Sequence, residues 1–208
     1  MSAQTHAEMS IESGVGAGIL GELRRRYAEP HRVWHTWPRI ADLLAEAEEV
    51  VGGIANRTAF ILAILFHNAV FDLRRPDNAP RSAALMRSLL GGQLAAPVLA
   101  RAEALILAMG RDDIPETDDP SLRGDAALLL DMAHAVLGAD PLAYAAHEAA
   151  LRREHPHLPD EAWADGRASA LQMLLWRSRI YRTDRWYLAR EMRARRNLEG
   201  TIARLGWG

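Results

Sequence analysis

From Ala59 to Phe66 the chain reads AFILAILF, eight successive residues without a polar side chain. The run sits inside NRTAFILAILFHNAVFD, residues 56–72, whose spacing is helical. A helix that is apolar on every side cannot turn any of them to water. It must lie at the centre of the fold with other helices around it, and that requirement governs what the rest of the chain can be.

The remaining periodicity supplies such neighbours. PRIADLLAEAEEVVGGI places Ile40, Leu43, Leu44, Ala47 and Val51 on one helix face, started by Thr36 or Pro38. RSAALMRSLLGG suggests a stripe of Ala84, Leu85, Leu89 and Leu90 halted by two glycines, and APVLARAEALILAMG is also closed by glycine. RDDIPETDDPSLRG reads as a surface loop, and DAALLLDMAHAVLG as a short buried helix. Asp140 and Pro141 form a cap and first position for the next helix; PDEAWADGRASALQMLLWRS repeats that arrangement. An Arg-rich amphipathic helix ends the sequence. Strand signals are nearly absent, so the expectation is all-α: one helical bundle of eight or nine helices over residues 14–208, with residues 1–13 a flexible tail.

Composition narrows the chemistry. The 208 residues contain no cysteine, which excludes disulfides, thiolate metal sites and a Cys nucleophile. All 25 basic residues are arginine and the net charge is −2, so no overall field recruits nucleic acid or an acidic membrane. The basic C-terminal helix has no interleaved aromatic platform and reads as a solvated face. No apolar run reaches the eighteen or so residues of a membrane span. MSAQTHAEMSIES lacks the pattern of a secretory signal, and a cytoplasmic protein is expected.

Eight histidines are candidates for chemistry, though a lone histidine is more often structural. His35 lies just before the second helix between Trp34 and Trp37, which could line a pocket mouth; His67 and Asn68 end the apolar run. Asp131 and His134, three apart, share a helix face.

Taken in order, YAEPHRVWHTWPRI, FHNAVFD, DNAPRSA, LLLDMAHAVLGADP and RIYRTD…REMRARRNLEG resemble one branch of the HD superfamily of metal-dependent phosphohydrolases. The likeness runs from about Leu20 to the C-terminus. It implies an all-α fold holding one or two divalent metals among central helices, where a metal-generated hydroxide attacks a phosphoester, often of a nucleotide. The implied ligands are a histidine on an early helix, an adjacent His-Asp pair, a further histidine and a later aspartate.

Carried over position by position, the ligand set is largely substituted. The early histidine falls at Arg39, although His35 is kept; the His-Asp pair is His67 and Asn68. The further histidine falls at Arg111, the likelier aspartate at Ala133 beside a retained Asp131, and an acidic position in the DNAPRS block is Ala79. A carboxamide offers an oxygen without the charge that holds a hard cation. A guanidinium has no acceptor and cannot ligate a metal.

The leading expectation is therefore a degenerate metal site that binds a small anionic, phosphorylated or nucleotide-like ligand without metal or other cofactor. His67, Asn68 and His35 stand at the former catalytic centre. Arg39, Arg111, Asp72, Asp131, His134, Trp34 and Trp37 line the expected pocket. Two alternatives stay open: a metal-dependent phosphohydrolase with substitute ligands such as Asp72, Asp131 and His134, and a non-catalytic scaffold. Neither nucleic acid nor membrane is an expected partner, and the oligomeric state, a homo-oligomer included, is left open.

Overall fold

A computed structural model describes residues 15–206; the expected tail at residues 1–13 lies outside them. Among the described residues the fold is all-α. The helices are α1 (Ala17–Tyr27), α2 (Trp37–Glu49), α3 (Arg57–Phe66), α4 (Asn78–Leu90), α5 (Ala96–Arg111), α6 (Pro120–His134), α7 (Pro141–Glu154), α8 (Asp160–Leu175) and α9 (Asp184–Arg204). Single 3-10 turns follow α2 at Val51–Gly53 and α6 at Ala135–Gly138. The described residues divide into two compact units, parted between Leu130 and Asp131.

In the first unit α3 is the central element, packed against α2, α4 and α5. Asn56 starts it by accepting a hydrogen bond from the Ala59 amide at 2.9 Å. Ala59, Phe60, Leu62, Ala63, Ile64, Leu65 and Phe66 are all buried, and each large side chain contributes about 1.5–3 kcal/mol. The apolar run is thus enclosed on nearly every side, as its composition requires. Gly110 lies so near Ala79 that a Cβ there would come within 2.3 Å of the alanine methyl, which brings the end of α5 against the start of α4.

Three details differ from the sequence expectation. The buried face of α4 carries Ser82, Ala83, Met86 and Leu90, rotated from the stripe of Ala84, Leu85, Leu89 and Leu90 because Met86 takes the inner position. Val51 is 41% exposed, since α2 stops at Glu49 and the 3-10 turn swings it outward. Helix α6 begins at Pro120, inside the expected loop: Asp119 accepts from the amides of Ser121 (2.8 Å) and Leu122 (3.2 Å), and Pro120 occupies the first helical position. This is the same Asp-Pro start that Asp140 and Pro141 give α7, where Asp140 accepts from the Leu142 and Ala143 amides.

A buried carboxylate anchors the entry to α3. Asp125, wholly inaccessible, accepts from the amides of Ala55 (2.7 Å) and Asn56 (3.2 Å) and from Arg101 Nε and Nη2 at 3.2 and 2.9 Å. Arg101 also reaches Asp119 and Ser121.

The second unit is organised around the segment between α8 and α9. Glu191, 5% exposed, accepts from the amides of Ile180 and Tyr181 and from Arg195 Nε. Arg195 in turn donates to the carbonyls of Leu175 and Arg177. Asn197 bonds the Leu137 and Ala139 carbonyls, and tight packing of Gly138 beneath Arg190 and Tyr181 leaves no room for a Cβ. No single helix among the described residues is long and apolar enough to cross a membrane.

Candidate functional site

Helix α3 ends at Phe66, so His67 is its C-cap and Asn68 lies in the following turn. This differs from the expectation that His67 stands within the helix. The reason is local: the His67 amide still bonds the Ala63 carbonyl, whereas the Ala69 amide turns back to Phe66.

The His67 ring places Nδ1 2.8 Å from the Ile64 carbonyl oxygen. A carbonyl only accepts, so Nδ1 carries the proton and Nε2 keeps the lone pair in the neutral ring. Burial pushes this histidine down to about 4, with His35 and Arg39 adding to the depression. His67 is therefore neutral at pH 7. Its proton affinity is lower in the folded than in the unfolded chain, whose histidine titrates near 6.5. The stability it permits is complete above 6.5 and is lost as pH falls toward 4, by about 3 kcal/mol. Following the imidazole signal by NMR against pH, together with urea unfolding, checks this; His67→Gln removes that part of the pH dependence.

Arg39 lies next to this ring electrostatically. Its side chain is 13% exposed, its guanidinium stands 5.5 Å from the Trp34 ring centroid, and Glu46 faces it at 4.0 Å. Burial pulls Arg39 down from its ordinary value, while Glu46 and Asp42 oppose the shift; an arginine remains charged under such a shift. His35 packs on Phe71 with ring centroids 4.4 Å apart. Trp37 packs instead toward Tyr27 and lies under Arg24.

The residue that holds this corner together is one the sequence reading passes over. Arg32 has a wholly buried side chain and donates to the carbonyls of His35 (3.3 Å), Asn68 (2.8 Å) and Ala69 (3.4 Å). It also pairs with Glu29 at 3.1 Å and stands over the rings of Tyr27 and Phe71. Among 25 arginines, nothing in the sequence singles it out.

The other expected pocket residues have different placements. Asp72 is exposed and builds its own loop: its carboxylate accepts from the Arg74 amide, and Asn78 brackets its backbone. Arg111 is exposed in the last turn of α5, where a cation complements the helix end. Asp131 and His134 belong to the second unit. Asp131 is inaccessible and accepts from the Arg182 amide, the Thr183 amide and the Thr183 hydroxyl, each at 2.7 Å. It is a cap for the start of α9, and burial holds its carboxyl above the usual range against those donors. The His134 carbonyl accepts from the Tyr181 hydroxyl at 3.1 Å.

These donors do not fit a divalent cation. His67 offers one nitrogen lone pair, Asn68 no charge, and Arg39 a positive charge beside them. No group of three His, Asp or Glu side chains suited to a metal ion occurs among the described residues. No family model, curated protein or solved structure matches the chain.

Proposed function

We propose that the first unit binds a small inorganic or phosphorylated anion without metal, at the corner formed by His35, Arg39, His67 and Asn68. The observation that supports this most is Arg39: a guanidinium mostly withdrawn from water, on the Trp34 ring, where the HD resemblance expects a metal-ligating histidine. A guanidinium recognises phosphate through forked, charge-assisted hydrogen bonds, and it supplies the positive charge that a cation would otherwise bring. Neutral His67 adds an Nε2 able to meet a protonated phosphate oxygen, and no catalytic step is assigned to it.

Calorimetric titration with inorganic phosphate and pyrophosphate tests the reading. Arg39→Ala is expected to weaken binding at least tenfold, since a hydrogen bond to a charged group is worth about 1.5–3 kcal/mol. Unchanged binding in that variant sinks the proposal. Elemental analysis of purified protein is the second arm: tightly held stoichiometric metal would favour the phosphohydrolase alternative.

A further inference from the structure

A cavity of about 350 Å³ lies within the second unit, between α7, α8 and α9. That volume is within the range of small-molecule sites, roughly 300–1,000 Å³. Its walls are unevenly charged. Arg167, Arg196 and Arg204 line it, against Glu148 as the one lining carboxylate. Glu148 is already committed, because Arg167 grips it with Nε at 2.9 Å and Nη2 at 2.5 Å, both side chains being largely buried. The pair cancels its own charge and leaves Arg196 and Arg204, both exposed, as an uncompensated excess of two at the rim.

The rest of the lining is aromatic and polar. Trp163 supplies an indole wall, backed by the His155 ring at 4.8 Å and the Arg152 guanidinium at 5.7 Å. Tyr144 is 2% exposed, and its hydroxyl lies beside Thr201 and Glu148 at the cavity wall. Burial, with Glu148 adding to it, pushes Tyr144 up to about 12, so it stays a protonated donor.

We infer that this cavity is a binding site for a planar aromatic anion, its phosphate or carboxylate held by Arg196 and Arg204 and its ring against Trp163. It is separate from the Arg39 corner and does not depend on it. A rim with two excess guanidiniums selects the anion, and an indole wall selects the ring.

The test titrates the full-length chain carrying Arg39→Ala, which silences the corner in the first unit, with AMP and benzoate as probes and adenosine and inorganic phosphate as single-feature controls, by calorimetry and tryptophan fluorescence. At least one aromatic anion is expected to saturate, with phosphate or adenosine alone at least tenfold weaker. Adding Arg196→Ala/Arg204→Ala to that background is expected to weaken it at least tenfold. A steric plug, Gly200→Leu, removes binding by a second route: the glycine lines the cavity inside α9, where leucine is the better helix former. Failure of both AMP and benzoate to saturate at about 10 mM overturns the site. So does aromatic-anion binding in that background that survives the double variant and the plug, or that phosphate alone matches.

Discussion

Asp125→Ala is expected to destabilise the protein by about 3–5 kcal/mol, seen as a fall in the urea midpoint with little change in slope. The substitution does three things at once. It leaves the Arg101 guanidinium, 13% exposed, without the carboxylate that takes both its Nε and Nη2. It strands the amides of Ala55 and Asn56 just where α3 must begin. It also opens a void in a fully enclosed place. Asp125→Asn keeps an acceptor for one amide and is expected to lose less. Arg101→Leu made together with Asp125→Ala should recover part of the loss, because the uncompensated charge is then gone. Strict additivity of the two changes would show that the ion pair is not the source of the effect.

The second large effect is expected at Asp131. Asp131→Ala leaves two backbone amides and the Thr183 hydroxyl without their acceptor, a loss of about 2–4 kcal/mol. Asp131→Asn, with one oxygen, should fall between the variant and the parent. Asp72→Ala is the control, since an exposed turn carboxylate is worth about 0.5 kcal/mol. Melting temperatures are to be measured with and without EDTA. A cap predicts the same loss in both; a loss seen only without chelator would instead make Asp131 a metal ligand.

What could be read from the sequence depended on how local the cause was. The enclosure of α3 and the start of α7 follow from a few adjacent residues, and both are found. The start of α6 was as local, but Asp119 and Pro120 sit in an acidic, proline-bearing stretch whose composition argued for loop. The face of α4 was misplaced because leucine and alanine also occur on its outer side, and only packing decides among them. Asp125, Glu191 and Arg32 were invisible for another reason. Each is an ordinary charged residue in a charged neighbourhood, and its partners lie 69, 11 and 36 positions away. The residue types at the positions where the resemblance expects ligands can be read from the sequence alone. That Asp72 and Asp131 spend their oxygens on backbone amides cannot.

Arg32 has a dynamic consequence. One side chain bonds carbonyls on both the stretch before α2 and the exit of α3, so neither strand of that corner can separate without breaking the same set of bonds. Local opening there is therefore a single cooperative event. A ligand that steadied His35 would, through Arg32, also slow the excursions of Ala69, which is not part of the proposed corner.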